Sequence, residues 1–202
     1  MKLYYKRGAC SLTARIFAHE LNLSCDYEAV DLQTKKTETG ADFLVINFKG
    51  SVPALVLQNK EVLTENAVIL QYLADMHNAI QYLPAIGDMK RYRVLEWLNF
   101  CSTDLHGGCG PFFNSKISTE LQQEVFLPIL KRKVAVAEKQ LATHAYIAGE
   151  QFSLADIYLF VVFTWFPHIG LELGEWPHVA KYFDMLKNRK AIQQALKEEG
   201  LI

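Results

Sequence analysis

Cysteine is scarce in this chain of 202 residues, with four at positions 10, 25, 101 and 109. They form no Cys-x-x-Cys pair and no His/Cys pattern of zinc-finger spacing, which disfavours a structural metal and an intramolecular dithiol centre. A chain this long needs no disulfide framework, so reduced thiols are expected. Proline (6) and glycine (11) are few, half the residues are hydrophobic and 21% are charged, which excludes collagen-like, low-complexity and disordered classes. Charge of one sign is not in excess either. The formal net charge is −1, with 8 basic and 9 acidic groups in residues 1–80 and 13 of each in the rest, so no broad basic face for nucleic acid is expected. Long apolar runs are lacking too. The longest, Ile157 to Phe163, falls far short of the ~20 residues of a membrane helix. Leu3-Tyr4-Tyr5, between Lys2 and Lys6, is too brief for the apolar region of a signal peptide. A soluble, cytoplasmic protein is the expectation.

The patterning that is present divides the chain. Residues 1–78 alternate strand and helix signals in the order β-α-β-α-β-β-α, a small α/β domain. Leu3–Tyr5 and Tyr27–Leu32 read as strands, and Ala54–Leu57 and Glu61–Thr64 as a hairpin around Gln58-Asn59-Lys60. Ser11–Leu21 and Glu65–His77 carry helical stripes, and a helix is expected from about Gly40. Residues 79–88, with Pro84 and Gly87, form a linker. Residues 89–202 read as all-helical, with helices over Met89–Cys109, Leu121–Thr143, Leu154–Trp165, Trp176–Asn188 and Ala191–Glu199. The third is apolar nearly all round and belongs at the centre of a bundle. Ser153-x-x-Asp156 before it resembles a capping box with Asp in place of Glu. No internal repeat is present.

Four places could carry chemistry. Cys10 falls between a strand and a helix, where free N–H groups and the helix dipole favour an anion, with Lys6 and Arg7 nearby. The alternative is a buried, inert cysteine. Cys25, Cys101 and Cys109 sit in or beside apolar runs and read as packing residues. Pro53 directly before an apolar strand suits a turn, in cis or trans; a cis bond would free the Val52 backbone to pair with an extended peptide. Glu65 and Asn66 open a helix, either as its cap or as a site for the amino-acid end of a ligand. Asn99, Ser102, Thr103 and His106 fall at i, i+3, i+4 and i+7 of an otherwise apolar helix, either a solvated stripe or the lining of a cleft. Gly107-Gly108 should loosen that helix.

Taken together, YKRGACS at 5–11, VDL at 30–32, NFKGSVPAL at 47–55, LTENAVILQYLAD at 63–75, EWLNF at 96–100, TDLH at 103–106 and FSLADIYLF at 152–160 resemble the glutathione S-transferases, most closely the bacterial beta class. The resemblance implies an α/β thioredoxin-like N-terminal domain plus an all-α C-terminal domain, a homodimer, and glutathione as co-substrate at the domain boundary, without a metal. It implies Cys10 beside the glutathione sulfur and Lys35 at the glycyl end. Val52 would pair with the cysteinyl unit, and Glu65 with Asn66 would hold the γ-glutamyl end. Asn99, Thr103, Asp104, Leu105 and His106 would form a helical wall, partly from the neighbouring subunit, with His106 facing Cys10 across the domain gap. Tyr5 and Ser11 are the competing hydroxyls for thiol activation, and Phe112, Phe113, Trp165 and Phe166 are expected to line an apolar electrophile wall. Arg7 and Phe48 replace common prolines, Asp104 shortens a frequent Glu, and Gly107 stands where Lys is frequent. The implied reaction is attack of the glutathione thiolate on a small hydrophobic electrophile. The alternatives are thiol transfer or peroxidase chemistry through a Cys10 mixed disulfide, and a non-catalytic binding protein on the same scaffold.

Overall fold

Alternation places Leu3 and Tyr4 on opposite faces of the first strand, β1 (Lys2–Tyr5), and both are buried, so this strand is central. It runs parallel to β2 (Asp26–Asp31) and antiparallel to β4 (Ala54–Val56). β3 (Lys36–Thr37) flanks β2 and β5 (Val62–Thr64) flanks β4, both antiparallel, giving the order β3-β2-β1-β4-β5. The computed structural model describes all residues, Met1–Ile202. They form two units: Met1–Ala79 with Arg189–Ile202, and Ile80–Asn188.

In the first unit the parallel β1–β2 pair is joined by α1 (Leu12–Glu20), which buries Leu12, Ile16 and Phe17. α3 (Asn66–Met76) buries Ile69, Leu70 and Leu73. Tyr4, Val30, Phe43, Val52 and Ala54 pack together into a separate core cluster. The segment 35–45 departs from expectation: it contributes the two-residue strand β3 and only a short α2 (Phe43–Ile46). Gly40 turns at φ +87°, and the Asp42 carboxylate caps α2 by accepting the Leu44 N–H at 2.9 Å, so the helix cannot begin earlier.

The last helix, α10 (Lys190–Glu198), was expected with the all-helical domain but belongs to the first unit, packed along α1. Its amphipathic face buries Ile192, Ala195 and Leu196, and its ends are tied by charge. Arg189 grips Glu20 with two bonds of 2.9 Å, and Arg15, buried between the rings of Tyr5 and Tyr27, reaches Glu198 and Glu199 at 3.2 Å.

The second unit is helical. α4 (Met89–Phe100) continues through a π-helical turn at Cys101–His106, α5 (Gly107–Cys109) and a 3₁₀ turn at Gly110–Phe113. The loosening expected at Gly107-Gly108 therefore begins six residues earlier. There the Thr103 hydroxyl bonds back to the Asn99 carbonyl at 3.1 Å. Gly108 has a packing role instead: a Cβ there would stand 3.1 Å from Leu130. α6 (Thr119–Leu121), capped by Ser118, runs through a second π turn into α7 (Leu127–Leu141). α8 (Leu154–Phe163) is buried along all ten residues, as its unbroken apolarity demands, and α9 (Pro177–Lys187) follows. At the start of α8 the buried Asp156 carboxylate accepts four bonds: Ser153 N–H and O–H at 2.7 Å, Ile147 N–H at 2.8 Å and Tyr182 O–H at 2.6 Å. The capping box is thus a four-donor hub joining α8, α9 and the 142–152 connection. No helix is long and apolar enough to cross a membrane.

Candidate functional site

The first unit gathers Cys10, Val52 and Asn66. Cys10 lies just before α1, and its thiol donates to the Val52 carbonyl at 3.3 Å. The Val52–Pro53 bond is cis. Asn66 is buried, and its amide is spent on holding this corner: Nδ2 donates to the Cys10 carbonyl at 2.6 Å, and Oδ1 accepts from the buried Thr13 hydroxyl at 2.7 Å. For a ligand Asn66 offers its backbone, not its side chain. The Asn66 and Ala67 N–H groups at the start of α3, like the Val52 N–H, find no acceptor in the chain.

Burial pushes the Cys10 thiol up to about 12, and the backbone N–H groups of Cys10 and Ser11 pull only weakly against it. Cys10 is therefore a neutral donor, not the thiolate that its place beside a helix start suggests. The Ser11 hydroxyl is buried and exchanges bonds with the Lys6 backbone at 3.2 and 3.3 Å.

Around this corner stand the charged groups. Glu65 adopts φ +70°, a left-handed conformation for a residue with a side chain, at the turn from β5 into α3. Its exposed carboxylate meets Lys49 Nζ at 2.8 Å, and Lys49 also reaches the Thr64 hydroxyl at 3.0 Å. Lys35, at φ +58°, donates to the Gly50 carbonyl at 2.7 Å. Gly50 itself needs φ +64°, and a Cβ there would crowd Leu44 at 3.1 Å. The buried Asn47 shapes the same loop, donating to the Ser51 carbonyl at 2.7 Å and accepting from the Lys49 N–H at 3.1 Å. The turn before Cys10 is held by the chain's far end: Gly8 N–H donates to Glu199 at 2.8 Å, and Arg7 bonds the Gly200 carbonyl.

In the second unit Asn99, Thr103, Asp104, Leu105 and His106 lie on one helical segment. The Asp104 carboxylate accepts from Thr103 at 2.8 Å and pairs with Lys133, whose hydrogen bond holds it below the usual carboxylate range. Leu105 is fully buried, so its side chain belongs to the core and only its backbone remains for a ligand. His106 Nδ1 lies 2.7 Å from the Tyr158 hydroxyl, and its ring packs edge-on to Trp165 at 4.9 Å. Burial lowers the His106 pKa, keeping the imidazole neutral at pH 7. Phe113 continues the aromatic string, 6.1 Å from Trp165. Phe166, expected in an electrophile wall, is instead sealed between Phe163 and Trp176 and lines nothing. No three His, Cys, Asp or Glu side chains gather as a metal site.

The family models for the glutathione S-transferase N-terminal and C-terminal domains match residues 1–75 and 100–190. Glutathione S-transferase GstA of Escherichia coli O157:H7 is 38% identical over 201 residues, spanning 100% of both chains. The chain belongs to the glutathione S-transferase family. Two sphingomonad glutathione S-transferases superpose at a TM-score of 0.95 over 100% of both chains. One is complexed with glutathione and is 39% identical; the other, the bacterial beta class enzyme of Sphingomonas chungbukensis, is 38% identical.

Arg7 reaches the C-terminal Gly200 carbonyl, Phe48 is an 87% exposed aromatic on the Asn47–Gly50 loop, Asp104 pairs with Lys133, and Gly107 has only ordinary room around it. Sequence reasoning passed over Thr13, Asn47, Tyr158 and Glu199. Asn47 and Tyr158 lie within the quoted motifs. Glu199 carried no local signal, because its partner Gly8 is 191 positions away, and the Thr13 bond to Asn66 spans 53 positions.

Proposed function

We propose that this transferase binds glutathione as an extended strand on the first unit and uses its thiolate to attack small hydrophobic electrophiles. The observation that carries the reading is the set of unpaired backbone N–H groups, of Val52 and of Asn66 and Ala67, on the segments hydrogen-bonded to Cys10. Val52 pairs with the cysteinyl unit as an added strand would. The start of α3 takes the γ-glutamyl carboxylate, and Glu65 takes the ammonium. Lys35 serves the glycyl carboxylate. The sphingomonad relative complexed with glutathione supports this choice of ligand.

Free thiols near pKa 8.5 are only a few per cent ionised at neutral pH. Lowering that pKa by about two units, a hundredfold gain in the ionisation constant, takes about 2.7 kcal/mol of preferential stabilisation. Cys10, held neutral, contributes an S–H donor beside the glutathione sulfur. On the helical unit, His106 is the group proposed to act on the thiolate, and Asn99, Thr103, Asp104 and the Leu105 backbone are proposed as further ligand contacts. The protein is proposed to work as a homodimer in the cytoplasm, a compartment that suits four unpaired cysteines.

Calorimetry with glutathione and with the truncated dipeptide Cys-Gly tests the binding mode. Glutathione should bind at sub-millimolar levels and Cys-Gly at least ~10-fold more weakly, the loss of one or two charge-assisted contacts. Absence of glutathione binding to folded protein would overturn the assignment. Cys10→Ala separates the roles of the thiol: conjugation of a chloronitrobenzene should persist with a loss of about tenfold or less, since a neutral donor is removed and not the nucleophile.

A further inference from the structure

The mechanism above uses His106 but leaves its partner unexplained. Tyr158 sits in the middle of α8, buried, and is the sole phenol in its helix. Its hydroxyl meets His106 Nδ1 at 2.7 Å, and the two rings are 5.9 Å apart, edge to face. Trp165 closes the other side of the imidazole. The ring is therefore fixed in place by α8 and by Trp165 just beyond it. Its other nitrogen, Nε2, has no hydrogen-bond partner in the chain and is not sealed from solvent.

A neutral imidazole carries one proton, and which nitrogen holds it depends on the neighbours. A phenol O–H is a far better donor than a neutral imidazole N–H, and an imidazole nitrogen is a better acceptor than a phenol oxygen. The stronger pairing is thus O–H···Nδ1, which puts the ring proton on Nε2. The ionisable groups near the ring do not oppose this. Asp104 is committed to Lys133 and Thr103, Cys101 and Cys109 are buried thiols raised above their ordinary range by burial, and burial alone accounts for the His106 shift.

Resting on the glutathione reading above, we propose that Tyr158 is a positioning residue that locks His106 in the Nε2–H tautomer, so that the imidazole offers a thiolate ligand a neutral hydrogen-bond donor. The thiol proton goes to solvent, and His106 stabilises the anion without taking that proton. A ring with the opposite tautomer would present a lone pair to the sulfur and favour the thiol form instead.

Tyr158→Phe tests this, because it removes one oxygen and keeps the packed ring. Nitrogen NMR of ¹⁵N-histidine-labelled protein reads the tautomer directly. The wild type should show a protonated Nε2 and a bare Nδ1, and the variant should move toward the Nδ1–H form. The ultraviolet absorbance of bound thiolate should fall, and the acid limb of the kcat/KM profile should move to higher pH. At a pH below that limb, kcat/KM should drop about three- to tenfold, the loss of one neutral hydrogen bond, with the KM for glutathione nearly unchanged. A merely structural role for Tyr158 would lower stability without moving the tautomer or the pH profile, and that result overturns the proposal. If the variant fails to fold, the wild-type spectrum decides alone: protonated Nδ1 is the contrary result. Absence of thiolate in the wild type would refute the glutathione reading, whereas the imidazole spectrum judges Tyr158 independently of it.

Discussion

Asp156→Asn is a severe test of the four-donor hub. The substitution is nearly isosteric, so no cavity is created and the cost is one of hydrogen bonding. The carboxylate accepts two donors on each oxygen: Ile147 N–H and Tyr182 O–H on Oδ1, Ser153 N–H and O–H on Oδ2. An amide keeps one acceptor oxygen and turns an NH2 group toward the other two donors. The hydroxyl among those two, of Tyr182 or Ser153, can turn to accept from the NH2 group, so one buried N–H loses its acceptor, at roughly 1–3 kcal/mol, about 2 kcal/mol in the middle of that range. For a chain of this length it corresponds to a fall in melting temperature of roughly 6 °C, at ~2–4 °C per kcal/mol. Urea unfolding followed by circular dichroism gives the change in midpoint, and an unchanged slope would keep the comparison two-state. Ser153→Ala in the same background should cost about 1 kcal/mol alone and less when combined, since both act on one hub. A loss below ~1 kcal/mol for Asp156→Asn would mean that the amide can satisfy all four donors by a local shift, and the hub argument would fail.

Three further outcomes follow from other contacts. Burial alone would raise the Glu28 carboxyl, but bonds from Lys2, Thr37 and Thr39 outweigh it and hold it down at about 2. Because its folded pKa lies below its ordinary 4.5, Glu28 stabilises the fold above pH 4.5, and that contribution is lost as pH falls toward 2. Lys2→Met should therefore move the acid-unfolding midpoint upward, and an unmoved midpoint in an acid titration would contradict this. Glu199→Gln should cost about 3 kcal/mol in urea, because the buried Arg15 loses the counter-charge at 3.2 Å while Gly8 N–H keeps an acceptor; full stability would show that Glu198 alone suffices. Glu65→Ala should raise the KM for glutathione about tenfold with kcat little changed, since the carboxylate is exposed and its charge-assisted contact is screened; steady-state kinetics in which kcat falls instead would assign Glu65 a role in the chemistry.

Much of this architecture was legible along the chain. Short apolar runs at Leu3–Tyr5 and Ala54–Leu57 marked strands, and the near-continuous apolarity of Leu154–Phe163 marked the buried helix, because both express local propensity and burial. The corner of Cys10, Val52 and Glu65 was legible because turn chemistry is local: a proline before a strand, and polar residues at helix starts. What was not legible arises between distant residues. The Ala191–Glu199 stripe is amphipathic wherever it packs, and what draws it to the first unit are partners far along the chain: the apolar face of α1, Glu20 for Arg189, and Arg15 and His19 for Glu198 and Glu199. Cys10 sits where a helix start favours a thiolate, yet burial outweighs the backbone donors and leaves a neutral thiol. By itself the sequence determined most of the strands and helices, since these follow from neighbours in the chain. Protonation at Cys10 and His106 was decided only by tertiary structure, because desolvation and hydrogen-bond partners are set by groups brought in from elsewhere in the fold.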